Sequence, residues 1–263
     1  MPAPHIFIAT HHKSGTVWMM TTFIRIAKAN GSEFIHLNEG ESGWNLREDK
    51  AEFFESKRSQ VEDESDCLGI FFDFHGDIPD LTRCKHERGA RGLHIVRDPR
   101  DLLISAARFH LVADESWLHE PVIEFGGMTY QQKLGSYDAF EDRIKFEIDH
   151  SMGRVIRQMN NFDDQGVFER VHYEDLIVDV DMVLFHRLMV HLGLSGKELL
   201  NGLGAFWESS IFGDRSEHDL ESTRNHIFNS RPKQWQTMLS GGAIDLIQGA
   251  FEKEIVGSGY ELR

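Results

Sequence analysis

Short apolar runs alternate with longer stretches of helical periodicity along this chain, and the alternation predicts the fold class. HIFIA (5–9) is apolar and β-prone and reads as a buried strand. From Thr16 to Ala29 apolar positions recur at Val17, Met20, Ile24 and Ala27, and Asn30-Gly31 stops the helix. LGIFFDF (68–74) and LHIV (93–96) read as two more buried strands, the second running into DPRDLLISAARFHL, where Pro99 suits a first helical turn. VFERVHY (167–173) is expected to be a fourth strand, and helical patterns span about 130–160, 179–192 and 242–256. Strands alternating with helices predict a parallel sheet covered on both faces. Two stretches, 31–50 and 113–132, are rich in glycine, acids and isolated aromatics and are expected to be loops or lids.

Composition narrows this picture without changing it. The 263 residues suffice for one α/β domain with a substantial core, so a single domain over 1–263 is expected. The hydrophobic share of 40% and charged share of 27% are those of a globular protein. A formal charge of -15 argues against nucleic acid or anionic membrane as a general partner, while leaving room for a local basic pocket. Cys67 and Cys84 make no disulfide framework and no zinc spacing, which fits a reducing compartment. No apolar stretch approaches the roughly 20 residues that span a bilayer, and the first residues lack a leader pattern, so a cytoplasmic protein without membrane insertion is expected.

In a parallel sheet ligands bind beyond the carboxyl ends of the strands, so the residues after 9, 74, 96 and 173 are the candidates. After the first strand comes HHKSGTVW (11–18). Turn and helix-start N–H groups can hold phosphate oxygens there, with Lys13 adding charge and Ser14 and Thr16 adding hydroxyls. Phe7 and His12 occupy the glycine positions of GxxxxGK[ST], so the nucleotide-kinase form of the loop is absent. Taken alone, KSGT reads equally well as a capped helix start. After the third strand comes RDPRD (97–101), with Ser105 two helical turns further on. In isolation this also reads as an ordinary capped helix.

Together, KSGTVW and RDPRDLLIS resemble the cytosolic-type sulfotransferase family, whose patterns read approximately PKSGTTW and RNPKDxxxS. The resemblance implies a P-loop-like three-layer α/β fold with a central parallel sheet of about five strands. It also implies binding of 3′-phosphoadenosine 5′-phosphosulfate, PAPS. Lys13, Ser14, Gly15, Thr16, Val17 and Trp18 fall on the loop that holds the 5′-phosphosulfate, and Arg97 and Ser105 on the 3′-phosphate site. His75 stands about two dozen residues before Arg97, where the family has its catalytic histidine, and Tyr173 opens a YEDL segment whose tyrosine meets the adenine. The family's C-terminal RKGxxGxW is poorly matched. Aligning on Trp235 leaves Ser230 and Arg231 as the substitutes for its phosphate contacts. Trp18 is either an adenine stacker or a core residue.

On this reading His75, of unperturbed pKa about 6.5, is the general base and Lys13 stabilises the leaving phosphate. No metal is called for. His11 and His12 receive no role. The acceptor is expected to be a hydroxyl of a small molecule, lipid or sugar, chosen by 31–50 and 113–132, where Trp44, Trp117, Phe125 and Tyr130 offer apolar contacts. Oligomeric state, a homodimer included, is left open. The competing readings are a P-loop nucleotide kinase and an inactive nucleotide-binding protein of the same fold.

Overall fold

β1 (His5–Ala9) is apolar on both faces, and in the computed structural model both faces are covered. The structure describes residues 4–38, 49–63, 68–87, 89–213 and 231–263. β1 lies at the centre of a five-stranded parallel sheet of order β2-β3-β1-β4-β5, with β2 at Glu33–His36, β3 at Gly69–Asp73, β4 at Ala90–Val96 and β5 at Phe168–His172. The expected three-layer fold with about five strands is therefore observed.

Parallel neighbours need crossovers, and helices supply them. α1 (Thr16–Asn30) connects β1 to β2 and buries Trp18, Met19, Phe23 and Ile26 in one cluster with Ile6, Ile8, Ile70 and Phe72. Gly31, at φ 64, ends it as the sequence predicts. On the opposite face Phe7 stacks on Phe71 at 5.0 Å, and Phe54 of α2 (Lys50–Asp63) packs edge-on against both rings. Leu81 and Cys84, the latter in α3 (Thr82–Glu87), belong to that cluster, as do Ile35, Leu37 and Val61. Burying each such phenylalanine stabilises by about 1.5–3 kcal/mol, and truncating one to alanine costs about 3–5 kcal/mol.

The chain divides into two compact units. The first, Met1–Val96 with Phe162–Arg215, holds the whole sheet together with α8 (Tyr173–Leu176), α9 (Val183–His191) and α10 (Gly196–Ser209). The second, Arg97–Asn161 with Ser216–Arg263, is helical where described: α4 (Pro99–Phe109), α5 (Tyr130–Gly135), α6 (Phe140–His150), α7 (Met152–Asn160), α11 (Trp235–Met238) and α12 (Gly241–Gly257). No helix among the described residues is long and apolar enough to cross a membrane.

Three expectations change in detail. The stretch 31–50 is not wholly loop, because EFIH forms the edge strand β2, while Glu39, Glu41 and Trp44 lie outside the described residues. The helical pattern over 130–160 is three helices. Its breaks fall after Gly135-Ser136 and at Ser151, whose φ of -144 and ψ of -75 no helix accommodates. The stretch 113–132 folds onto its own unit: Leu118 and Tyr130 are buried with Phe109, Leu134 and Phe146. The Tyr130 hydroxyl donates to Glu147 Oε2 at 3.0 Å, and the other carboxylate oxygen lies 2.8 Å from His110 Nδ1. Tyr130 is thus a core residue with its hydroxyl engaged, not an open contact for an acceptor.

Candidate active site

The turn after β1 is shaped by two left-handed residues, Lys13 at φ 67 and Gly15 at φ 98. Hydroxyls brace it. The Ser14 hydroxyl accepts from the His11 N–H and donates to the His11 carbonyl, both at 2.9 Å, and the Ser14 N–H reaches the same carbonyl at 2.9 Å. The Thr16 hydroxyl lies 2.8 Å from that carbonyl and 3.0 Å from Thr10 Oγ1. Ser14 is wholly buried, so its side chain holds the turn rather than facing outward. Lys13, Gly15 and Thr16 are half-buried, and Val17 is exposed.

Tyr173, at the carboxyl end of β5, closes one side of this turn. A Cβ on Gly15 would come within 2.8 Å of Tyr173 Cδ2, so glycine is required there by the close approach as well as by its φ. The Tyr173 ring meets Trp18 edge to face at 6.0 Å, and Trp18 leans on Phe206 at 5.4 Å. The sheet therefore brings Gly15, Trp18 and Tyr173 together. Trp18 Nε1 is buried and has no hydrogen-bond partner among the described residues.

The turn after β3 carries His75, which is 7% exposed. Ala9 and Asp73 are register partners in the parallel pair β1–β3, so the two turns start from the same level of adjacent strands. Asp73, fully buried, anchors the second turn. Its Oδ1 accepts from the N–H groups of His75 (2.8 Å) and Asp77 (3.1 Å), and its Oδ2 from Lys50 Nζ (2.9 Å) and Asn38 Nδ2 (3.2 Å). Asn38 Oδ1 in turn accepts from Phe74 N at 2.9 Å, and Lys50 also reaches Asp77 at 3.2 Å. Sequence reading missed Asp73, Asn38 and Lys50, and the polar residue closing an apolar strand two positions before the histidine was the available signal.

His11 and His94 form a buried pair, Nε2 to Nε2, at 2.9 Å. At that distance one ring donates and the other accepts, so a single proton lies between the two facing nitrogens. Burial, and then the charge of His75, push His11 down to about 3. His94 lies well below its ordinary value through burial, His11 and Arg170. His94 also stacks on Phe162 at 3.9 Å. Gly76, at φ 65, sits so close to the His11 ring that a Cβ there has no room. His11, which the sequence left without a role, is thus the floor on which the His75 turn rests.

In the second unit α4 begins as expected, with Asp98 as N-cap accepting from Arg100 N at 3.0 Å and Pro99 in the first turn. Arg100 is committed locally. Its Nε and Nη2 bind the Asp98 carboxylate at 2.8 and 2.7 Å, and its guanidinium lies 3.9 Å over the Trp235 ring. Asp101 Oδ1 accepts from Trp235 N at 2.9 Å, which docks the C-terminal segment on α4. Arg97 is 5% exposed just before the cap, Ser105 is half-buried on α4, and Arg231 is exposed. Ser230 lies outside the described residues.

A family model described as the sulfotransferase domain matches residues 3–198. The fold is similar to mouse sulfotransferase SULT7A1 complexed with PAP, with a TM-score of 0.56 and 16% identity over 96% of this chain and 84% of that one. It is also similar to retinol dehydratase in complex with androsterone and the inactive cofactor PAP, with a TM-score of 0.52 and 13% identity over 100% of this chain and 84% of that one. No curated protein sequence matches the chain.

Proposed function

Since the chain belongs to the sulfotransferase-domain family, we propose that residues 1–263 act as one PAPS-dependent sulfotransferase domain, working in the cytoplasm and without a metal. A hydroxyl oxygen of a small-molecule, lipid or sugar acceptor forms a bond to the sulfur of PAPS. The bond from sulfur to the bridging oxygen of the 5′-phosphate breaks, the hydroxyl proton passes to His75, and adenosine 3′,5′-bisphosphate (PAP) leaves with the extra negative charge. Lys13, the turn N–H groups and Thr16 stabilise that charge. Ser14 and Gly15 hold the turn in shape and Val17 continues it into α1. Trp18 and Tyr173 take the adenine, while Arg97 and Ser105, joined by Ser230 and Arg231, take the 3′-phosphate.

The observation that carries this reading is the pairing of Ala9 with Asp73, which starts the turns bearing the Lys13 cation and the His75 base at one level of the sheet. PAP in two proteins of similar fold supports the choice of nucleotide, as does the buried indole N–H of Trp18 that has no acceptor among the described residues. The test is an acceptor library screened with labelled PAPS, run beside His75→Ala. Loss of a general base is expected to lower kcat by about 10²–10⁴-fold. Near-normal turnover by that variant would remove the base assignment. Stabilisation by PAPS but not ATP in a thermal-shift series is expected, and the reverse would indicate a kinase.

A further inference from the structure

The hydrogen bonds at the end of β3 do more than finish a strand. We infer that Asp73, with Asn38 and Lys50, is a positioning residue for the catalytic histidine, an inference that rests on the assignment of His75 as general base. An ionised carboxylate offers about four lone-pair sites, and the four donors around Asp73 fill them: His75 N, Asp77 N, Lys50 Nζ and Asn38 Nδ2. The bond to His75 runs to its backbone N–H, not to its imidazole. Asp73 therefore relays no proton through that contact. It fixes the Cα of residue 75 and hence the direction in which the ring leaves the turn.

A buried ion pair is a poor way to gain stability, because desolvation offsets most of the attraction. Asp73 is 0% exposed and Lys50 5% exposed, so the cost is borne in full. What the pair supplies is a single geometry. Asn38 reaches Phe74 N from β2's side of the turn, Lys50 reaches Asp73 and Asp77, and His11 abuts Gly76. The residues on both sides of His75 are thus bonded to or packed on something outside the turn, and His75 itself is tied to the anchored Asp73. A displacement of about 1 Å at a reacting group can cost about 100-fold in rate.

The experiment compares Asp73→Asn, the exchange double variant Asp73→Asn/Asn38→Asp, and His75→Ala, all using labelled PAPS and the best acceptor of the library. Asp73→Asn turns one of two acceptor oxygens into a donor facing Lys50 and Asn38. Its kcat is expected to fall by about 30–100-fold with KM for PAPS within about threefold. The double variant puts the carboxylate and the amide back in the same pair with places exchanged, and should recover at least about tenfold. Amide hydrogen exchange at His75 and Asp77, which needs no acceptor, should rise by at least about tenfold in Asp73→Asn and fall again in the double variant. Asp73→Asn that keeps its kcat while His75→Ala loses it would overturn the positioning role alone. So would a double variant that regains thermal stability but not kcat. Full turnover in His75→Ala sinks the base assignment, and the positioning role with it. Should Asp73→Asn fail to fold, Asn38→Ala removes one donor and the Phe74 acceptor while leaving the ion pair, and kcat unchanged within about twofold at constant KM would likewise overturn the proposal.

Discussion

The turns after β1 and after β3 leave neighbouring parallel strands at matched positions, Ala9 opposite Asp73, yet they are braced by different groups. The first is held by the hydroxyls of Ser14 and Thr16 around one backbone carbonyl, that of His11. The second is held by the buried carboxylate of Asp73, neutralised by Lys50. The difference follows from the charge each turn is proposed to face. A loop that receives a phosphosulfate cannot carry a carboxylate among its braces without repelling the ligand, whereas neutral hydroxyls add no such cost. The turn that presents a base can use an acid, provided a cation is buried with it.

The largest effect that can break the comparison is at Lys13. Lys13→Ala is expected to lower kcat by about 10²–10³-fold, with a smaller rise in KM for PAPS, because a donor aimed at a leaving-group charge acts mainly in the transition state. Steady-state kinetics with varied PAPS checks this, and an equal loss of binding and turnover would make the first turn a binding site only. Gly15→Ala comes next. The φ of 98 costs a non-glycine residue about 1–3 kcal/mol, and the new Cβ also meets Tyr173 at 2.8 Å. A lowered Tm is expected, partly restored by Gly15→Ala/Tyr173→Ala, which relieves the overlap and leaves the strain.

A third outcome concerns the histidine pair beneath the second turn. In the unfolded chain His11 takes up a proton as pH falls through 6.5, while in the folded protein it does not until about 3. The unfolded state therefore binds more protons across that window, and stability falls as pH falls. The loss is on the order of 2 kcal/mol between pH 7 and 5 from His11 alone. Denaturant midpoints measured at both pH values should show it, and His11→Leu should flatten the dependence. The smallest effect is expected from Ser14→Ala, which removes the two Ser14 hydroxyl bonds, leaves those of Thr16, and costs about 1 kcal/mol, with turnover of the folded protein within a few-fold. A catalytic loss at Ser14 as large as that at Lys13 would mean that its hydroxyl does more than brace.

Much of the fold is legible in the amino-acid sequence. Burial periodicity located β1, β3, β4 and β5 within a few residues, Gly31 located the end of α1, and Asp98-Pro99 located the start of α4. β2 was missed because it is a four-residue, half-buried edge strand set in a run of glycine and acids. The break at Ser151 was missed because a run of helix-compatible residues does not reveal where packing turns the chain. The residues proposed for the site were visible only singly: Lys13, Gly15, His75, Arg97 and Tyr173 each follow a strand end. Their supports were not. Lys50 and Asp73 are 23 positions apart, and His11 and His94 are 83 apart.

That division has a physical cause. Strand and helix periods, the glycines at positive φ and the proline of a first turn express short-range sterics and the need to bury apolar surface, and neighbouring residues are enough to reveal both. Which polar group meets which other group, and how strongly burial shifts it, depends on partners that only the parallel sheet brings side by side. His11 is a proton-binding residue in the unfolded chain and a neutral floor in the folded one. Asp73 is an ordinary acid until the sheet sets it between Lys50, Asn38 and the backbone of His75.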